Sequence, residues 1–103
     1  MKSSSIQEAI NKGKGEVSIH GWVYRERGSS QLKFIVLRDS TNIVQCVIKK
    51  EEVGDKKFAI ADKIQIEASM EITGTIKEDK RAPTGYELQV KDFTVIGQSD
   101  SFP

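Results

Sequence analysis

An all-β fold, a single five-stranded barrel with two short helices, is what this chain predicts, and three observations carry it. Five stretches alternate apolar and polar residues at the period of a strand. Polar or Gly-rich clusters separate them. Helical spacing occurs in two short places, ahead of the first strand and between the third and fourth.

The first element is a helix over residues 5–12. Ser5-Ile6-Gln7-Glu8 has the form of a capping box, Ile6, Ala9 and Ile10 make an apolar stripe, and Gly13 and Gly15 end it. The first strand starts near Glu16, with Val17, Ile19, Gly21 and Val23 on one face and Ser18, His20, Trp22 and Tyr24 on the other. It is long, and Gly21 is its expected point of strong curvature or bulging. Gly28-Ser29-Ser30 is a turn.

The second strand covers 32–38, with Ile35 and Leu37 opposite Phe34 and Val36. After the turn Asp39-Ser40-Thr41-Asn42, the third strand covers 43–49, with Val44, Cys46 and Ile48 opposite Ile43, Gln45 and Val47. Residues 55–62 read as the connecting helix. The fourth strand follows, with Ile64, Ile66, Ala68, Met70, Ile72, Gly74 and Ile76 at period two, a length that calls for coiling. The charged loop from Lys77 to Gly85 leads into a fifth strand from Tyr86 to about Ile96.

Five strands with a helix between the third and fourth is the order of an OB-fold. That fold is a Greek-key barrel whose second and third strands and two flanking loops form a binding face. Residues 1–97 are the expected domain. The polar tail 98–103 reads as a hinge toward a further domain.

Bulk properties bound the function. The 103 residues carry 16 Lys and Arg against 15 Asp and Glu, so the net charge of +1 argues against a strongly basic, non-specific DNA binder. The single cysteine, Cys46, lies in an apolar run and reads as a small buried hydrophobe. One Cys and one His make neither an intrachain disulfide nor a zinc site. Met1-Lys2-Ser3-Ser4-Ser5 has no apolar segment behind it, and no run approaches a membrane span of about 20 residues, so the expectation is a cytoplasmic protein with no membrane partner. No Gly-rich phosphate loop, nucleophile–base set or metal cluster is visible, so no catalytic residue, metal or cofactor is assigned to this segment.

The residues that stand out suit single-stranded nucleic acid. Phe34 falls opposite the core face, either as a stacking platform for a base or as part of a second apolar cluster with Val36. Gln45 offers an amide that donates and accepts at once, or is an ordinary solvated strand residue. Arg27 ends the first strand, where a guanidinium can stack, hold phosphate or meet a base edge. Of Trp22 and Tyr24, one is expected under the N-terminal helix and the other beside the aromatic platform. Lys77 opens the loop that would flank a ligand.

The pattern Gly-Trp-Val-x-Arg-x-Arg, then Phe-Ile-x-Leu-Arg-Asp, then Ile-Val-Gln-x-Val, resembles the N-terminal anticodon-binding domain of the class IIb aminoacyl-tRNA synthetases, the aspartyl, asparaginyl and lysyl enzymes. The resemblance covers roughly residues 6–103. It implies that Phe34 stacks on the central uracil of an anticodon while Gln45 and Arg27 bond its edge. The spacings agree, with seven residues from Arg27 to Phe34 and eleven from Phe34 to Gln45. The run Arg81-Ala82-Pro83-Thr84-Gly85-Tyr86-Glu87-Leu88-Gln89-Val90 and the tail from Gly97 resemble the archaeal and eukaryotic asparaginyl pattern. Bacterial aspartyl enzymes tend to carry an acidic residue at the place of Gln89. A carboxylate suits the amino group of a cytosine, whereas an amide can also donate to a uracil. Glu78 and Asp79 stand where those aspartyl enzymes are more basic, which leaves contacts to the first base open. The resemblance implies a homodimeric parent enzyme that uses ATP and Mg²⁺ to attach asparagine to its tRNA, with this segment supplying selection. An aspartyl-tRNA synthetase domain and a free-standing OB-fold binder are the alternatives.

Overall fold

The computed structural model describes residues 3–97; the expected hinge over 98–103 lies outside the described residues. In chain order the elements are helix α1 (Ile6–Lys12), strands β1 (Gly15–Gly28), β2 (Leu32–Arg38) and β3 (Ile43–Lys49), helices α2 (Lys50–Val53) and α3 (Asp55–Ala61), and strands β4 (Ser69–Glu78) and β5 (Tyr86–Gly97). The strands close into a barrel in the order β1-β2-β3-β5-β4. This is the five-stranded OB-fold, with helices at the N-terminus and between β3 and β4 as the alternation predicts. β1 pairs with β2 through its second half and with β4 through its first. Closure comes from the parallel pair β3–β5, in which Gln45, Cys46 and Val47 oppose Glu87, Leu88 and Gln89.

The core follows from the alternation. Val17, Ile19 and Val23 of β1, Ile35 and Leu37 of β2, Val44, Cys46 and Ile48 of β3, Met70, Ile72 and Ile76 of β4, and Leu88, Val90 and Phe93 of β5 are buried together. Such residues supply the area-proportional term that drives collapse. Burial pushes the Cys46 thiol well above its ordinary pKa, which keeps it protonated and inert. Two glycines let the strands approach. A Cβ on Gly21 would lie 2.4 Å from the Arg38 carbonyl oxygen, and one on Gly74 would lie 2.1 Å from that of Gln89. Larger residues there would force neighbouring backbone apart and loosen the coiling of a small barrel. Lys33 shares the inward parity of Ile35 but lies near the barrel mouth, where its buried ammonium meets Glu26 at 2.6 Å.

Four local expectations change. The bulge in β1 falls at Tyr24, where the register to β2 slips between Val23 and Arg25, and Gly21 instead marks a close approach. The fourth strand starts at Ser69, because residues 64–68 form an irregular segment that buries Ile64 and Ala68 and turns Ile66 out, half exposed. A one-turn helix, α2, precedes the expected connecting helix. Neither Trp22 nor Tyr24 goes under α1; both are exposed, at 40% and 43%, and α1 docks through Ile6, Ala9 and Ile10.

Asp39 ties α1 to the β2–β3 turn. One carboxylate oxygen accepts the Ile6 N–H at 2.9 Å, and the other accepts from the Thr41 N–H and hydroxyl and from the Asn42 N–H. One side chain therefore orders a tight turn and caps a helix distant in sequence. Burial works against its charge, but the Thr41 hydroxyl and the three N–H groups outweigh it and hold the carboxyl below the usual aspartate range. A depressed folded-state pKa stabilises fully above the unfolded value of about 3.9 and is lost as pH falls through the lower folded value. Asp39→Asn is expected to cost about 1 kcal/mol at neutral pH. Urea unfolding of both proteins on descending pH checks this, and their stability difference should shrink in acid.

Candidate nucleic-acid interface

Strand parity builds the outer face of the barrel in two rows. In β1, Gly21 and Val23 face inward, and unbroken alternation would carry Arg25 and Arg27 inward as well. The extra residue at Tyr24 resets the parity. Beyond it Glu26 opposes the buried Ile35, while Arg25 opposes Val36 and Arg27 opposes Phe34 on the outer face. Followed across the ladders, one row is Arg25, Val36, Gln45, Glu87 and Lys77. The adjoining row is Arg27, Phe34, Val47, Gln89 and Thr75.

Arg27, Phe34 and Gln45 come together. The Arg27 guanidinium lies over the Phe34 ring, 4.5 Å from its centroid, a cation–π contact that aligns a flat cation with a flat apolar surface. Both residues and Gln45 line an open cleft of about 440 Å³, shared with Arg25, Glu26, Val36, Ile66 and Pro83. The same three border an adjoining hollow of about 290 Å³, completed by Asp79, Arg81 and Glu87. The Gln45 amide nitrogen donates to the Glu87 carboxylate at 3.4 Å, a long contact that points the amide oxygen's acceptor capacity elsewhere. These groups offer a ring to stack on, an acceptor, and guanidinium donors within one cleft.

The other sequence candidates spread out. Gln89 faces outward on the row of Phe34 but lines a separate small hollow with Val47, Lys49, Glu52, Thr75, Val90 and Lys91. Two strand spacings, on the order of 10 Å, separate its row position from Phe34. Lys77 sits across from Glu87, beside the loop 79–85. Tyr24 is the bulge residue, belongs to neither row, and carries the Arg25 guanidinium 5.4 Å above its ring.

Four residues of the open cleft, Arg25, Glu26, Ile66 and Pro83, were not among the sequence candidates, nor was Glu87 of the adjoining hollow. Ile66 alternates as a core residue, Glu87 looks like a solvated strand residue, and Pro83 sits in a charged loop. That loop is held in shape by backbone bonds from Asp79 to Gly85, Ala82 to Asp79 and Gly85 to Ala82. The Asp79 carboxylate also accepts the Arg81 N–H, which lowers its pKa and fixes the tip near the cleft. The parallel β3–β5 register that makes Glu87 a neighbour of Gln45 is a long-range pairing with no local signal.

Residues 17–96 match the tRNA anti-codon family, described as an OB-fold nucleic acid binding domain. The chain is similar to the asparagine–tRNA ligase of Thermoplasma acidophilum, 46% identical over 101 residues that make up 96% of this chain and 24% of that protein. Its fold is similar to the asparaginyl-tRNA synthetase of Pyrococcus horikoshii complexed with asparaginyl-adenylate, with a TM-score of 0.89 and 36% identity over 100% of this chain and 24% of that one. An aspartyl-tRNA synthetase from Entamoeba histolytica shares the fold at a TM-score of 0.86 and 24% identity, over 100% of this chain and 23% of that one. The chain thus spans about a quarter of the length of these relatives.

The parity reset makes a separable prediction. Tyr24→Ala keeps the extra residue and is expected to change stability by about 0.5 kcal/mol or less, as for an exposed side chain. Deleting Tyr24 would drive Arg25 and Arg27 toward the core and cost about 3 kcal/mol or more through unpaired buried charge. Chemical denaturation of the two variants distinguishes a bulge that sets parity from one that is incidental.

Proposed function

We propose a function from the premise that the chain belongs to the tRNA anti-codon family of OB-fold nucleic acid binding domains: it selects a tRNA by its anticodon as the N-terminal domain of an asparaginyl-tRNA synthetase. The observation that carries this is the shared cleft of Arg27, Phe34 and Gln45. The similarity to asparagine–tRNA ligases over nearly the whole chain supports the choice of enzyme.

The chemistry favours a uracil at the central position. The Arg27 guanidinium lies over the Phe34 ring, so a base that stacks there takes its place on the ring and meets the displaced guanidinium at its edge. Because Glu87 draws the Gln45 amide nitrogen, the Gln45 oxygen is left to accept the N3–H of uracil. Arg27 then donates to a uracil carbonyl oxygen. Cytosine presents an acceptor at N3, so the same amide oxygen meets a lone pair and the site rejects it. Gln89, farther along the row of Phe34, is our candidate reader of the third base, where its amide can donate to a uracil oxygen. Lys77, beside the 79–85 loop, is our candidate for a backbone phosphate contact, and Tyr24 is our candidate neighbour on the arginine side of the cleft.

In this reading residues 1–97 are the anticodon-binding domain and 98–103 the hinge to a catalytic domain. The parent enzyme is a cytoplasmic homodimer that attaches asparagine to its tRNA. ATP and Mg²⁺ would act in the remaining three quarters of such an enzyme. Among the described residues no group of three or more His, Cys, Asp or Glu converges to hold a metal. Among the described residues no helix is long and apolar enough to cross a membrane.

Phe34→Ala is expected to weaken binding to a stem-loop carrying the asparagine anticodon by about 1–3 kcal/mol while leaving thermal unfolding unchanged. Gln45→Ala and Arg27→Ala should narrow the preference for uracil over cytosine at the central base. An equal loss for both sequences would reduce these residues to backbone contacts. Titrations of matched stem-loops read both effects.

Gln89→Glu should shift the third-position preference from uracil toward cytosine by about 1–3 kcal/mol. An unchanged ratio in the same titrations would favour the aspartyl alternative.

A further inference from the structure

A single exposed isoleucine is ordinary on a protein surface. Ile66 is different in where it stands and how it is held. It is 50% exposed and forms part of the wall of the cleft that contains Phe34, Val36 and Gln45. Its neighbours Ile64 and Ala68 are buried, so both sides of the segment are anchored in the core.

The backbone next to it is strained. Glu67 adopts a positive φ of 73°, a left-handed conformation that costs a residue with a side chain about 1 kcal/mol or more. Four contacts hold it there. The Glu67 N–H donates to the Val23 carbonyl at 2.7 Å, and the Val23 N–H donates to the Ala68 carbonyl at 2.9 Å. The Ala68 N–H reaches back to the Gln65 carbonyl at 3.1 Å. The Arg38 guanidinium grips both carboxylate oxygens of Glu67 at 2.9 and 3.0 Å. Both contacts come from one nitrogen, Nη2, which ties the two side chains together through a charge-assisted bond. Arg38 is the last residue of β2, the strand that carries Phe34. The ring and the isoleucine are thus referred to the same strand.

We propose that Ile66 is a nucleobase-contacting residue, an apolar wall of the pocket in which a base stacks on Phe34, and that the Arg38–Glu67 pair is the latch that positions it. An aliphatic wall beside an aromatic floor favours the weakly hydrated faces of a base and disfavours a hydrated phosphate. The inference rests on the anticodon-binding reading and adds to it a contact from the segment between α3 and β4. That segment lies outside the second and third strands and the two loops expected to form the binding face of this fold.

The test titrates the full 103-residue chain with a stem-loop RNA carrying uracil at the second and third anticodon positions. Ile66→Ala is expected to weaken binding about fivefold, the effect of burying half an isoleucine side chain. Its melting temperature and salt dependence should stay unchanged, because no phosphate contact is lost. Arg38→Gln should weaken binding by a similar factor in the natural chain and have no further effect when Ile66 is already alanine, the non-additivity expected of a latch acting through its cargo. Phe34→Ala is measured alongside. If Phe34→Ala weakens binding and Ile66→Ala does not, the wall is refuted and the cleft reading survives. If neither changes binding, the reading of the cleft falls and the wall with it. If the Arg38 and Ile66 effects add, and the Arg38 variant also flattens the salt dependence, Arg38 is a phosphate contact and the latch is overturned.

Discussion

A strand presents one parity to each side, and β1 must bury Val17, Ile19 and Val23 yet expose Arg25 and Arg27, which share their parity. The extra residue at Tyr24 resolves this conflict. Before it, β1 is a core strand shared with β4; after it, β1 is the edge of the open cleft shared with β2. The cation over the Phe34 ring, the row that runs from Arg25 to Lys77, and the pairing of Glu26 with the buried Lys33 ammonium all follow from that one inserted residue. Bulges beside functional surfaces often re-aim side chains in this way.

The rest of the site depends on closing the barrel tightly. Gly21 and Gly74 admit a carbonyl oxygen where a side chain would collide, at places where β1 nears β2 and β4 nears β5. A barrel of so few strands needs that approach to coil and close. Closure in turn brings β5 against β3 and sets Glu87 beside Gln45, so the orientation of one amide traces back to two missing Cβ atoms. The charge pattern fits the same frame. With a net charge of only +1, attraction for phosphate has to be local, and Arg25, Arg27 and Lys77 border the apolar and amide groups of the outer face.

What was legible in the chain is what local chemistry encodes. The Ser5–Glu8 capping box, the strands 32–38 and 43–49 and the outward place of Phe34 and Gln45 rest on caps, turns and period-two alternation, and the structure has them as read. What was not legible is non-local. Ile64, Ile66 and Ala68 alternate like strand residues, but the segment bends at the positive φ of Glu67, where it pairs with Val23, and Ile66 lies half exposed. The bulge is placed by what lies across the ladder, so β1 taken alone pointed to its glycine. Glu87 has a partner in the cleft because of a pairing between residues 42 positions apart, which no window of sequence contains.

That pairing has a kinetic meaning. The β1–β2–β3 meander is built from neighbouring hairpins, and a chain that had folded only that far would already align Arg27, Phe34 and Gln45. It would lack Glu87, and the Gln45 amide would turn freely. Contacts of long sequence separation form late and slowly, because the loop they close must first be ordered. Selective recognition would therefore emerge after stacking does. On the proposed reading, a half-closed barrel would hold bases without telling them apart, and the onset of discrimination in a refolding chain would time the arrival of its last strand.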